Sequence, residues 1–83
     1  MNNKLLISIE IPSIEKKYDL FIPINKKIGT IKKCIVSSIV DLSNGILEEK
    51  QYSLIDIDTG KIYQNDVCVK DSGIKNGARI MIV

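Results

Sequence analysis

Cys34 and Cys68 are the strongest nucleophiles in the chain, and there is no histidine to activate either of them. A cysteine attacks as the thiolate, which a nearby base or cation must draw out. The two stand in unrelated contexts without Cys-x-x-Cys spacing, so a metal would have to be held by isolated thiols and carboxylates. Neither a metal nor any other cofactor is expected. Each thiol reads as a small buried hydrophobe of a reducing compartment, with a disulfide between them as the alternative. General acid–base work would fall to the ten carboxylates or to Cys34. The carboxylates are scattered over predicted outer faces, and Glu48 and Glu49 read as solvated. Gly29 stands alone before Thr30, whereas a phosphate-cradling loop needs closely spaced glycines opening a helix. The expectation is therefore a protein that is not an enzyme.

Six of the twelve basic residues, Lys16, Lys17, Lys26, Lys27, Lys32 and Lys33, fall within one third of the sequence. They could form a positive edge for phosphates or for an acidic partner. Net charge is only +2, and no aromatic residues interleave to stack on bases, so a solvated lysine surface is the expectation and nucleic acid is not the expected partner.

These groups must be positioned by 83 residues, enough for one domain spanning 1–83 that buries about 60 to 65 % of its unfolded surface. A hydrophobic share of 45 % with isoleucine dominant and few aromatics points to β-branched packing. Glu10 interrupts the first apolar run before a signal-peptide core could form, and no window reaches the roughly 18 apolar residues of a spanning helix. A cytoplasmic chain without direct membrane insertion is expected.

Leu5, Ile7, Ile9 and Ile11 alternate with Lys4, Leu6, Ser8 and Glu10, the period of a strand with one committed face. Tyr18 to Ile24 resumes it, so the two strands make a hairpin. The period then changes: Ile28, Ile31, Cys34, Ile35, Ser38, Ile39 and Leu42 share one helical stripe, with Thr30 predicted as N-cap and Asn44 and Gly45 as the stop. Lys32 and Lys33 near its start and Asp41 near its end oppose the helix dipole, so packing must hold this helix. YSLIDIDTGKIY reads as strand, turn and short strand, reversing at Asp58, Thr59 and Gly60. Asp71, Ser72 and Gly73, then Asn76 and Gly77, bracket Ile74 and pin it inside a polar loop. Arg79 to Val83 is the last strand. One helix covering one face of such a sheet is an α+β roll.

That element order matches the β-grasp, in which the last strand inserts between the first and third, parallel to the first. NGILEEKQYSLI resembles the helix-exit segment of ubiquitin, and KDSGIKNGARIMIV its closing turn and strand. The expected fold is a ubiquitin-like β-grasp, a mixed sheet of four to five strands packed on one helix. A closer resemblance is to the EsaB/YukD family of bacterial ubiquitin-like proteins associated with type VII secretion. It is carried by Tyr18, Asp19, Leu20 and Pro23 in the second strand, by Asn65 and Asp66 before the loop, and by Asp71, Gly73, Ile74 and Gly77 in the closing turn. Ala78 departs from it, standing where many relatives carry an acidic residue. The resemblance implies a non-catalytic accessory or regulatory protein of a type VII secretion system, with no active-site residues to carry over.

Assigning Leu5, Ile7, Leu20, Ile22, Ile55, Ile57, Ile80 and Ile82 to the helix side leaves Leu6, Phe21, Leu54, Met81 and Val83 on the open face. A free face normally alternates to polar, so a contiguous apolar group there is the candidate partner-binding site, with Phe21 as anchor. Its expected partner is a secretion-system protein or, as a homodimer, a second copy of the chain. In ubiquitin an outer-face isoleucine of the third strand is central to recognition; its expected counterpart here is Asp56, which would not suit ubiquitin's partners. Two rival functions are set beside this one. A protein modifier or sulfur carrier would need a flexible C-terminal Gly-Gly, so the chain would have to be truncated. A ubiquitin-like domain cut from a larger membrane component is the other.

Overall fold

The computed structural model describes residues 3–83. Two eight-residue strands, β1 (Lys4–Ile11) and β2 (Lys16–Pro23), pair antiparallel over their whole length, from Lys4 opposite Pro23 to Ile11 opposite Lys16. Their connection is a single 3-10 turn, Pro12–Ile14, in which proline pre-sets the first position and Glu15 takes the left-handed conformation, φ 54°. Along β1 every second residue, Ile7, Ile9 and Ile11, is buried, as the period-two pattern requires.

The helix α1 spans Ile28–Leu42. It begins two residues before the predicted cap, with Lys27 at the N-cap and no side-chain cap. Thr30 is already helical. The capping work passes to a distant loop: the Ile28 and Gly29 amides donate to the carbonyls of Val67 and Asn65, each at 2.9 Å. Gly29 is needed for that approach, because a Cβ at this position would lie 3.1 Å from the Asn65 Cβ and 3.2 Å from its carbonyl oxygen. The predicted stop is found. Asn44 and Gly45 are both left-handed, φ 55° and 80°, and the Gly45 amide donates to Val40 O.

The buried stripe of α1 is Ile28, Ile31, Ile35, Val36 and Ile39. It is rotated from the predicted one, since Cys34 and Ser38 are exposed and Leu42 is 59 % exposed. The expectation that Cys34 packs as a buried hydrophobe is thereby corrected: a helix holding isoleucines at 28, 31, 35 and 39 turns position 34 to the solvent edge of the stripe. Both cysteines are free, Cys34 exposed and Cys68 partly buried, which also sets aside the disulfide.

After the helix come β3 (Leu54–Asp56) and β4 (Arg79–Ile82). The sheet order is β2-β1-β4-β3, with β4 parallel to β1 and antiparallel to β3. The last strand is thus central, as the β-grasp reading expects. The fifth strand shrinks to one bridge, Ile62 against Ile55. The predicted reversal is present: Gly60 adopts φ 76° and its amide donates to Asp56 O. Ile74 is buried in its polar loop, its amide accepted by Ser72 Oγ, which itself donates to Val69 O at 2.6 Å.

Candidate functional site

The register fixes which side chains share the open face, because residues directly opposite across two strands point the same way. Leu6 lies opposite Phe21, Ser8 opposite both Asp19 and Arg79, Glu10 opposite both Lys17 and Met81, and Ile55 opposite Met81. Of the five candidates, Leu6 (38 % exposed), Phe21 (64 %) and Val83 (50 %) are at the surface, and Met81 is half-buried on the same side.

Leu54 does not belong with them. It is opposite Ile82 and 1 % exposed, packed in the core, and Ile55 and Ile57 take the outward positions instead. The predicted alternation was right on β1, β2 and β4 and displaced by one residue on β3. In a period-two strand such a shift exchanges both faces at once. The displacement came from Asp56, read as an outward polar residue. Its carboxylate folds back on the turn, where Oδ1 accepts from the Asp58 and Thr59 amides at 2.9 and 3.0 Å and Oδ2 accepts from the Tyr63 hydroxyl at 3.0 Å. Asp two and three residues before turn positions, in Asp-x-Asp-Thr-Gly, was the available signal. The outer-face residue of β3 is therefore Ile55, which corrects the equation of Asp56 with that position. Ile62, bridged to Ile55 and 58 % exposed, is a further outer residue that the pattern alone did not find.

The hydrogen bonds at Asp56, first from the Thr59 amide and then from Tyr63, hold its carboxyl below the usual range. Burial, followed by the neighbouring Asp56 carboxylate, pushes the Tyr63 phenol up to about 12. Both perturbations belong to a turn that sets strand register, not to a group poised over a cleft. Among the described residues no cluster of three or more cysteine, aspartate or glutamate side chains could hold a metal ion.

The open face is not one contiguous apolar group but two. Leu6 and Glu10 are four residues apart on β1, about 13 Å at the rise of a strand, so Phe21–Leu6 and Met81–Ile55–Ile62 sit toward opposite ends. Between them runs a charged strip. Arg79 Nη1 donates to Asp58 Oδ1 at 3.2 Å and Nη2 to Glu10 Oε2 at 3.4 Å. The first group is held firmly. The Leu6 amide donates to Asn76 Oδ1 and the Leu6 carbonyl accepts from the Gly77 amide, each at 2.7 Å, with Gly77 left-handed at φ 86°. The second group continues to Val83, whose backbone exchanges hydrogen bonds with Ser53 in both directions.

The lysine-rich third is also divided. Lys16 and Lys17 lie on β2, whereas Lys26, Lys27, Lys32 and Lys33 gather around the start of α1.

No protein-family model matches the chain, and no curated protein matches it in sequence. Its likeness to solved structures is in three dimensions. The ubiquitin-like domain of the Mycobacterium tuberculosis type VII secretion system protein ECCD1 superposes with a TM-score of 0.74 at 13 % identity, covering 100 % of this chain and 99 % of that one. The N-terminal ubiquitin-like domain of the 4931431F19Rik protein gives 0.67 at 18 % identity, covering 100 % and 76 %. A chain of the MycP5-free ESX-5 inner membrane complex gives 0.74 at 11 % identity, covering 99 % of this chain but 21 % of its own length. At these identities the likeness establishes the fold: the chain is a ubiquitin-like β-grasp domain.

Proposed function

We propose that this chain is a non-catalytic, cytoplasmic ubiquitin-like module that acts by protein–protein contact, not by conjugation, as an accessory or regulatory component of a bacterial type VII secretion system. The observation that carries the contact is the Leu6–Phe21 pair. Phe21 is 64 % exposed at the third pair of an eight-residue antiparallel ladder, opposite Leu6, whose backbone is clamped by Asn76 and Gly77. A large apolar ring fixed on a rigid sheet is costly to leave in water and suits a role as an interface anchor. Structural likeness to the ubiquitin-like domain of the type VII secretion system protein ECCD1 supports the choice of machinery.

The test is capture from solubilised membranes of the source cell, quantified for type VII components against a ubiquitin control. The unaltered chain enriches those components and Phe21→Asp loses them while its circular dichroism stays the same. Retention by Phe21→Asp, or no enrichment over ubiquitin, would sink the proposal. A second reading is favoured by the ESX-5 chain, of which the matching part is 21 %. On that reading the domain belongs to a larger membrane component, and the length of the intact reading frame decides between the two.

A further inference from the structure

A second concave surface lies away from the open sheet face, between the first two turns of α1 and the segment around Lys50. It is a groove of about 670 Å³ whose rim carries Lys27, Lys32, Lys33 and Lys50 and whose floor includes Val36 and Tyr52. Of the carboxylates only Glu49 lines it.

The positive charge here is only partly compensated. Lys32 Nζ donates to the neutral side-chain amide of Asn65 at 2.7 Å, and Lys27 and Lys33 make no ion pair among the described residues. Lys50 has Glu48 at 3.9 Å and lies over the Tyr52 ring, 5.4 Å from its centroid. The one arginine is already engaged with two carboxylates on the other face. Lys27 is the N-cap of α1, where the dipole is positive and no acidic residue occupies the first turn, and Lys32 and Lys33 follow in the second turn. That placement works against the fold, since cations are unfavourable there. Four lysines around one groove, against a single lining carboxylate, suit an anionic occupant.

The geometry narrows the kind of anion. The first helical amides are spent on Asn65 and Val67 carbonyls, so no backbone cradle is left for phosphate. Lys50 already lies over the Tyr52 ring, which leaves that face closed to a stacking base. What remains is point charges around an apolar floor.

We infer that this groove docks an acidic, extended peptide segment of a protein partner, with carboxylates on Lys27, Lys32, Lys33 and Lys50 and an apolar side chain set between them against Val36 and Tyr52. This surface is distinct from the Phe21 face and goes beyond the function proposed above. The test is a nuclear magnetic resonance titration of the labelled chain with the peptide Ac-Glu-Glu-Leu-Glu-Glu-NH2, and with Ac-Gln-Gln-Leu-Gln-Gln-NH2 as control. Oligothymidylate serves as the competing polyanion. The acidic peptide shifts the amides of Gly29, Lys33 and Gln51, and its Kd rises about tenfold between low and moderate salt as screening grows. The pair Lys27→Glu with Lys33→Glu weakens binding at least about tenfold, equivalent to about 1.4 kcal/mol, at unchanged circular dichroism. Phe21→Asp leaves this binding intact, which separates the two surfaces. Absence of these shifts, shifts that map to the sheet face, equal binding of the glutamine peptide, or tighter binding of oligothymidylate in the groove would each overturn the inference.

Discussion

Replacing Leu54 and, separately, Ile55 by alanine reads out the orientation of β3, on which the composition of the open face depends. Leu54 is 1 % exposed against the core, opposite Ile82. Truncating a fully buried leucine removes its transfer free energy and leaves a cavity, about 3 kcal/mol in total. Ile55 is partly exposed on the outer face beside Met81, so the same truncation forfeits only part of its burial, about 1 kcal/mol. With a urea dependence of about 1 kcal/mol per molar for a domain this small, the unfolding midpoint falls by about 3 M for Leu54→Ala and about 1 M for Ile55→Ala. Fluorescence of the tyrosines and far-ultraviolet circular dichroism should give coincident transitions, which licenses the comparison. Equal falls, or a larger fall for Ile55→Ala, would show that β3 presents its other face and would return Leu54 to the surface.

Two further outcomes follow from the same geometry. Tyr63 binds its proton more tightly folded than unfolded, with a pKa of about 12 against 10.0, so its contribution is full below pH 10 and is lost as the pH rises toward 12. Tyr63→Phe should flatten that alkaline limb when urea midpoints are compared across pH. Asp56 has the opposite sign: its carboxyl is depressed, so its contribution is present above pH 3.8 and lost on further acidification. The thiols supply the other outcome. In the native protein both cysteines react with a disulfide reagent without prior reduction, Cys34 faster than the partly buried Cys68; a reduction requirement would contradict the free thiols described here.

Much of the fold was legible because it is written in short-range periods. The isoleucines of β1 repeat every second residue and those of α1 every third or fourth, and both periods translate directly into buried faces. The turn at Asp58–Gly60, the stop at Asn44–Gly45 and the pinned Ile74 were legible for a related reason, since they rest on local backbone chemistry. Cys34 was misplaced because a helical stripe is wide and its edge is set by what packs against it. Thr30 was misread as a cap because the true cap comes from residues 65–67, far along the chain.

The candidate site was legible as individual residues and not as a surface. Leu6 and Phe21 could be placed outward from their own strands, but their direct pairing needs the hairpin register. The break between that pair and Met81 needs the parallel register of β1 with β4, which sets Met81 beside Glu10. The groove at α1 was legible only in part: Lys27, Lys32 and Lys33 could be read as a positive edge, but Lys50 joins them only after the chain has turned back along the helix.

By itself, then, the sequence determined the α+β class and the order of the main elements, since hydrophobic period and turn chemistry act over a few residues, while the central place of the closing strand was implied only by the resemblance of that order to the β-grasp. Only the tertiary structure decided which face β3 presents, where the helix is capped, and how the apolar and basic side chains are grouped. Each of those depends on register and on contacts between residues distant in sequence, and a strand's alternation is unchanged when it is turned over.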